Sequence, residues 1–248
     1  MTRILLVGQD KGGSGKSTAV RALAEAIPDI DIIEVDISQR LIEFDAGKSK
    51  TERRQVRFFP MRADRQAIEK SGGKAARAEF DGIIDAVATA RASTVVDVGA
   101  NTCASLFSAL SDLAPDLKAA NIELGVLIVV TAEAGALSEA PKLIGLAKPW
   151  ADAVFLMENR MRGGVDSKQL AMIAQGATIT AFDEQIMEAK AVEILQDRGM
   201  RDIPKIESAS LTQMYGLAQG ARIKRDLARF RLEAMEAVKP AAMWVVNA

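Results

Sequence analysis

The residues best suited to chemistry lie in one glycine-rich stretch near the start of the sequence. Residues 11–18 read Lys-Gly-Gly-Ser-Gly-Lys-Ser-Thr. Glycines let several backbone N–H groups converge on one anion, and Lys16 would add a positive charge to it. The Ser17 hydroxyl can hold Mg²⁺, and Thr18 can reach a further phosphate oxygen. The stretch therefore predicts a nucleotide-binding loop, with contacts from Gly12, Gly13, Ser14, Gly15, Lys16, Ser17 and Thr18.

The segments on either side of this loop match what phosphate binding requires. An apolar run at residues 4–7 predicts a buried strand before it, and a helical pattern at residues 20–27 follows it, stopping at Pro28. In that order the helix directs the positive end of its dipole at the bound anion. The strand, loop and helix together favour phosphate binding over the alternative, a glycine-rich turn with incidental lysines.

Two further predicted strands carry carboxylates near their ends. Residues 32–36 read Ile-Ile-Glu-Val-Asp and residues 94–98 read Thr-Val-Val-Asp-Val. In open α/β sheets, ligands bind outside the carboxyl ends of the strands. Asp97 is predicted to hold a Mg²⁺-bound water beside the loop, because Mg²⁺ prefers hard oxygen ligands and keeps part of its water shell. The alternatives are a helix-capping role for Asp97 and an ordinary strand-end carboxylate at Asp36.

The pattern K-G-G-x-G-K-[ST], in which Lys11 is a second lysine, resembles the deviant Walker A motif of the ParA/MinD family of dimerising ATPases. The resemblance implies ATP and Mg²⁺ as cofactors, and a homodimer that forms when ATP binds. It implies that Lys11 reaches the partner subunit's nucleotide and that Lys11, Lys16 and Asp36 are catalytic. It also assigns Ser17, Asp36 and Asp97 to the metal. A solvated loop lysine is the alternative for Lys11.

The later part of the chain both extends this resemblance and departs from it. Asn159 follows a predicted strand at residues 153–157 and resembles the family's adenine-recognising position, with a turn-forming asparagine as the alternative. The Pro-Gln that often follows the first acidic strand in ParA proteins is Ile37-Ser38 here. The usual D-x-P-[PG] at the second acidic strand continues instead as Val98-Gly99-Ala100-Asn101. This second departure leaves open how the neighbouring switch loop moves.

Predicted strands alternate with predicted helices along the chain. This order predicts an α/β fold with a doubly wound, mainly parallel sheet and helices on both faces. At 248 residues and 49% hydrophobic composition, we expect one P-loop ATPase domain over residues 1–248. The other predicted elements are a short strand at 56–59, a helix through 80–87, a strand at 125–131, a helix at 141–148 that begins at Pro141, a strand at 203–206 and a helix at 221–239 that ends at Pro240.

The charge balance argues against a basic coat for nucleic acid. Lysine and arginine number 32 against 33 acidic residues, for a net charge of −1. Nonspecific DNA contact would therefore need a local patch, and we place it at Arg222, Arg225 and Arg229, which share one face of the last helix. A solvated basic face is the alternative. A second charge-dense segment at residues 40–70 has no assigned role; its basic residues include Arg40, Lys48, Lys50, Arg53, Arg54, Arg57, Arg62 and Arg65.

Rare residue types narrow the chemistry further. The chain has no histidine, which removes the commonest general base and metal ligand, and its single cysteine, Cys103, suits a buried structural thiol. The start of the sequence has no secretory signal pattern, and no apolar run reaches the ~18 residues of a membrane span. We therefore expect a soluble, cytoplasmic protein.

The predicted function is a Mg-ATP-dependent switch that dimerises on ATP and acts in plasmid or chromosome partition or cargo positioning, together with a partner activator protein. One alternative keeps the switch and changes the cargo, as in an accessory ATPase of conjugative transfer or of surface-organelle positioning. An alternative of another class is a P-loop metabolic ligase or kinase, because some ligases share the Lys11 variant of the loop.

Overall fold

The computed structural model describes residues 1–45, 54–61 and 74–247. Much of the charge-dense segment falls in the gaps between these ranges. Of the basic residues named above, five lie outside the described residues: Lys48, Lys50, Arg53, Arg62 and Arg65.

A parallel sheet of seven strands organises the described residues. Its strands are β1 (Thr2–Gly8), β2 (Asp31–Asp36), β3 (Val56–Pro60), β4 (Thr94–Val98), β5 (Ile122–Val130), β6 (Ala153–Asn159) and β7 (Thr178–Phe182). The spatial order is β3-β2-β4-β1-β5-β6-β7, and all neighbouring strands are parallel. The predicted α/β fold class is confirmed.

Helices cover both faces of this sheet. They are α1 (Lys16–Ala26), α2 (Ile42–Asp45), α3 (Lys74–Ala88), α4 (Cys103–Ala119), α5 (Ala134–Ala147), α6 (Ser167–Ala174), α7 (Ala189–Arg198), a 3₁₀ helix (Met200–Lys205), α8 (Ser208–Tyr215) and α9 (Leu217–Val246). Successive side chains of β1 point to opposite faces. Ile4 and Leu6 join the core beneath α3 to α6, whereas Leu5 and Val7 join the core beneath α1 and α9.

The strand order sets the position of the loop that follows β1. From β1 to β4 the chain builds the sheet on one side of β1, and β5 to β7 build it on the other side. The loop after β1 therefore leaves the sheet where the winding direction changes, which is where ligands bind in folds of this kind. β4 is the direct neighbour of β1, and β2 pairs with β4, so both acidic strands end near this loop.

Two predicted elements around prolines are wrong. Helix α5 begins at Ala134 rather than at Pro141, which lies inside it. Proline removes one backbone hydrogen bond from a helix, but α5 buries a continuous apolar face that includes Leu143 and Ile144. The predicted strand at residues 203–206 does not form, and residues 203–205 belong to the 3₁₀ helix Met200–Lys205. Pro204 has no backbone N–H to donate to a neighbouring strand, which disfavours a strand here.

The end of the sheet and the last helix also differ from the predictions. Strand β7 is absent from the predicted elements, because its sequence, Thr-Ile-Thr-Ala-Phe, is too short to give a clear strand pattern. In the structure its first two residues are exposed. Helix α9 continues through Pro240 to Val246. Its last turns are held by burial, since Ala241, Ala242 and Val245 all lie in the core. The chain after Pro240 therefore packs against the rest of the protein.

The sequence expectation for the single cysteine has a structural counterpart. Cys103 is fully buried at the start of α4, and this burial raises the pKa of its thiol well above the usual value, so the predicted buried thiol is confirmed. None of the helices in the described ranges combines the length and the apolar character needed to cross a membrane.

The close approach of α9 to β5 gives a test of the packing. A Cβ at Gly125 would come within 2.5 Å of a ring carbon of Trp244. We expect Gly125→Ala to lower the free energy of unfolding by about 1–3 kcal/mol, because the partly buried ring of Trp244 must shift. Urea unfolding measures this change.

The matched control is Gly145→Ala on α5, where an added Cβ meets nothing within 4 Å. Alanine favours a helix over glycine by about 1 kcal/mol, so this variant should be as stable as the wild type or more stable. Equal stability of the two alanine variants would contradict the proposed packing of Trp244 on β5.

Candidate functional site

The loop between β1 and α1 has the backbone shape of an anion cradle. Gly13 and Gly15 have φ angles of 75° and 99°, in the left-handed region that glycine adopts without strain. Gly15 is the N-cap of α1, and no side chain of the described residues caps this helix start. The first N–H groups of α1 therefore remain free to bind a ligand at the positive end of the helix.

Two polar side chains inside the loop suit a phosphate group. Lys16 is 8% exposed, and its ammonium group donates a hydrogen bond to the Gln9 carbonyl at 2.8 Å. The Ser14 hydroxyl is buried and has no hydrogen-bond partner among the described residues. Buried polar groups without partners are uncommon in proteins. The orphaned hydroxyl, the free helix start and the lysine together fit the phosphates of a nucleotide.

Ser17 and Asp97 lie together beside the loop, as the sequence predicted for a magnesium site. Asp97 is opposite Val7 in the β1–β4 register, and the Ser17 hydroxyl is near enough to its carboxylate to lower the pKa of Asp97. Burial raises the pKa of Asp97; the Ser17 hydroxyl and the Lys16 charge oppose this rise, and the Asp36 charge adds to it. These residues fit Mg²⁺, because a cation there would favour the charged carboxylate.

Asp36 stands at the end of β2, on the far side of β4 from the loop. Its Oδ1 accepts the Ile37 N–H at 2.7 Å, and its Oδ2 lies 3.2 Å from Nε of Arg40. A Cβ at Gly99 would approach the Val35 carbonyl oxygen to 2.7 Å and Cγ of Asp36 to 3.1 Å. Glycine at this departure from the family motif therefore lets the chain after Asp97 come close to Asp36.

Glu34, two residues before Asp36, has a buried carboxylate that is bound to the backbone. Its carboxylate is buried opposite Asp97 in the β2–β4 register and accepts the backbone N–H groups of Arg40 and Leu41. Burial is the main cause that raises the pKa of Glu34, and the nearby charges of Asp97 and Asp36 add to it. Glu34 thus anchors the segment after β2 rather than facing a ligand.

Two residues before the glycines contribute in ways that the sequence analysis missed. The Gln9 amide donates to the carbonyls of Val129 and Ala136 at 3.1 and 3.2 Å. Asp10 accepts the Cys103 N–H at 2.8 Å and so caps helix α4. The available signal was two polar residues placed directly after a buried strand and before a glycine loop.

Lys11 lies at the exposed mouth of the loop. Its side chain is 48% exposed, and its Nζ is 3.8 Å from the carboxylate of Glu133 at the start of α5. Arg162 holds the same carboxylate at 2.5 Å. Exposed ion pairs contribute only about 0–1 kcal/mol, so the ammonium group of Lys11 is weakly restrained. Thr18, in the first turn of α1, is partly exposed.

Asn159 ends β6 and lies against the loop. Its side chain is 8% exposed, and its Nδ2 donates to the Ser14 carbonyl at 2.9 Å. Its Oδ1 accepts the Met161 N–H at 3.2 Å. The structure therefore brings Asn159 to the loop, as well as Lys16, Ser17 and Asp97. A contact between Asn159 and adenine stays a prediction.

The predicted arginine patch on α9 is exposed, but it is largely paired with carboxylates. Arg222 lies 2.5 Å from Glu188, and Arg229 lies 3.3 Å from Asp226. Arg225 is exposed on the same helix. Because two of the three guanidinium groups have acidic partners, the patch offers less positive charge than the sequence alone indicated.

No protein-family model and no curated protein sequence matches this chain. The chain is similar in structure to an ATP complex of a McdA variant from Cyanothece, at 10% identity and a TM-score of 0.49, over 92% of this chain and 96% of that one. It is also similar to a candidate plasmid partition protein from Borrelia burgdorferi bound to AMPPNP, at 10% identity and a TM-score of 0.49, over 97% and 100% of the two chains. The fold given above rests on this chain's own strand order and loop geometry.

The burial of Asp97 predicts a dependence of stability on pH. Because its pKa is raised in the folded state, folding retains a proton that the unfolded chain releases, and stability falls as the pH rises through that interval. Asp97→Asn removes the buried charge and should raise the Tm near pH 7.5 without ligand. The gain should shrink as the pH falls toward the ordinary pKa of an aspartate, which thermal unfolding over a pH series measures.

The control for this pH series is Asp85→Asn, which changes an exposed aspartate on α3 and should leave the curve unchanged. A lower Tm for Asp97→Asn at neutral pH, or a gain that grows on acidification, would show that burial does not dominate at this carboxylate.

Proposed function

We propose that this chain is a Mg-ATP-dependent, dimerising ATPase switch of the ParA/MinD type. The observation that carries the proposal is the glycine loop with a free helix start and an orphaned Ser14 hydroxyl, beside the buried Asp97 of the neighbouring strand. This pairing is the arrangement expected where a P-loop hydroxyl and a strand-end carboxylate serve one Mg²⁺ ion. ATP and Mg²⁺ are the proposed cofactors.

Each residue has a defined part in the proposed reaction. Bound Mg-ATP supplies the phosphoanhydride bond that is hydrolysed. The loop N–H groups and Lys16 bind and neutralise the phosphate oxygens. Ser17 and Asp97 hold the metal side of the site. Asp36, one strand further along the edge, orients the attacking water; with no histidine in the chain, a carboxylate is the available group for this task.

Dimerisation is proposed to place Lys11 in the partner's site. Its exposure and its long 3.8 Å contact with Glu133 leave the ammonium group able to move to a stronger anion. Glu133 keeps Arg162 as a partner when Lys11 leaves. This supports a lysine that each subunit lends to the other when ATP is present.

The proposed biological setting is plasmid or chromosome partition or cargo positioning, with an activator protein that stimulates hydrolysis. Nonspecific DNA is a proposed partner through Arg222, Arg225 and Arg229. The pairing of two of these arginines with acids makes a contribution from both subunits of a dimer necessary, since phosphate contacts add up across the interface. Accessory roles in conjugative transfer or surface-organelle positioning use the same switch.

A metabolic ligase or kinase would need an acceptor pocket at the phosphate edge. A groove of about 450 Å³ lies between α7 and α8, next to Ile194, Leu211 and Tyr215. None of the residues that line this groove belongs to the glycine loop. This groove is therefore not an acceptor pocket at the phosphate edge.

The first test of the proposal is nucleotide binding. Lys16→Ala removes the one ammonium group buried in the loop and should weaken ATP binding by about a hundredfold or more, as expected for a lost charged contact. Isothermal titration with ATP and Mg²⁺ measures the affinity. Lys142→Ala, an exposed lysine on α5, is the control, and equal affinity of the two variants would reject the site.

The second test separates binding from dimerisation. Lys11→Ala should keep ATP affinity and lose the ATP-dependent dimer, whereas Asp36→Ala should keep the dimer and stop hydrolysis, so that the dimer persists. Light scattering with Mg-ATP and a phosphate-release assay measure these outcomes. If wild type and Asp36→Ala both stay monomeric with ATP at every concentration, the switch mechanism is wrong.

A further inference from the structure

The side-chain amide of Asn159 makes two contacts that fix its orientation. Nδ2 donates to the Ser14 carbonyl at 2.9 Å, and Oδ1 accepts the Met161 N–H at 3.2 Å. The two contacts need opposite ends of the amide, so a flipped side chain would lose both of them. The donor is directed at the glycine loop and the acceptor at the turn that follows β6.

The hydrogen bond from Asn159 to the Ser14 carbonyl also determines the direction of the Gly15 N–H group. In a planar trans peptide, the carbonyl of one residue and the N–H of the next residue point in opposite directions. Because the Ser14 carbonyl is directed at Asn159, the Gly15 N–H must point away from it. Gly15 is the N-cap of α1, so its N–H belongs to the set of groups at the helix start that can bind phosphate.

The amide of Asn159 leaves no room for a side chain at position 15. A Cβ at Gly15 would lie 2.4 Å from Nδ2 of Asn159. The φ angle of 99° at Gly15 independently favours glycine. The side chain of Asn159 therefore fills the space next to this peptide and holds it from outside the loop.

The turn that carries Asn159 is itself firmly held. The fully buried Glu158 accepts the Val165 N–H at 2.6 Å and Nε of Arg160 at 2.7 Å. The Arg160 N–H donates to the Phe182 carbonyl of β7 at 2.8 Å. A side chain on such a support can position the loop, because its own backbone has little freedom.

We propose that Asn159 is a positioning residue that sets the direction of the Gly15 N–H toward the phosphates, rather than a residue that recognises adenine. The inference rests on the proposed nucleotide site at the glycine loop. Recognition of a base edge would require a donor and an acceptor directed at the base, whereas here Nδ2 is directed at the Ser14 carbonyl and Oδ1 at the Met161 N–H. The ligand feature that Asn159 serves is the polyphosphate.

The test compares a ligand that has no base with ligands that have one. Inorganic tripolyphosphate, ATP and GTP, each with Mg²⁺, are titrated into wild type, Asn159→Ala and Asn159→Leu, the last of which keeps the volume of the buried side chain. We expect both variants to bind all three ligands roughly tenfold more weakly, the upper range for one lost hydrogen bond. The ratio of ATP affinity to GTP affinity should stay at its wild-type value.

Two controls separate this result from general damage. Gln175→Ala removes another side-chain amide that donates to a backbone carbonyl, that of Pro141 at 3.0 Å, and should leave all three affinities unchanged. Thermal unfolding without ligand shows whether the variants are folded, and only folded variants enter the comparison.

Other outcomes would overturn the inference. If tripolyphosphate binding is unchanged while the preference between ATP and GTP is lost, Asn159 reads the base. If all affinities are unchanged, the contact with Ser14 does not position the loop. A failure of the proposed nucleotide site looks different, because wild type would then bind none of the ligands or would bind them as well as Lys16→Ala does.

Discussion

The structure depends on one constraint: a loop that is proposed to bind phosphate must direct backbone N–H groups at one point without using them in its own hydrogen bonds. Residues 11–15 cannot satisfy this constraint alone, because a glycine-rich chain has many accessible conformations. In this protein, side chains from outside the glycines restrain the loop. Gln9 ties it to β5 and α5, Asp10 ties it to α4, and Asn159 holds it from β6.

The same principle applies to the acidic side of the site. Glu34 holds the segment after β2 through two backbone N–H groups, and this segment contains Arg40, the ion-pair partner of Asp36. Gly99 lets the chain after β4 approach β2 without a clash. The separation of Asp36 from Asp97 is therefore set by contacts to the backbone, and a side chain at position 99 would change it.

Sequence reasoning identified the parts of the site that depend on local pattern. The glycine loop and the strand-end position of Asp97 follow from short stretches of sequence, and the strand order then brings them together. The roles of Gln9 and Asp10 depend on which strands become neighbours, and the sequence does not contain that information locally. The errors at Pro141 and Pro240 have a related cause, since buried apolar faces keep both helices intact despite a local helix-breaking residue.

The electrostatics of the site link its stability to its proposed ligand. Burial raises the pKa values of both Glu34 and Asp97, and the two carboxylates lie opposite each other in neighbouring strands. Lys16 offsets part of this unfavourable charge, and its ammonium group is also the proposed partner of the phosphates. A divalent cation beside Asp97 would stabilise the charged carboxylate and leave Lys16 free for the nucleotide. Metal and phosphate binding should therefore support each other, because each relieves a charge that the folded protein otherwise holds at a cost to its stability.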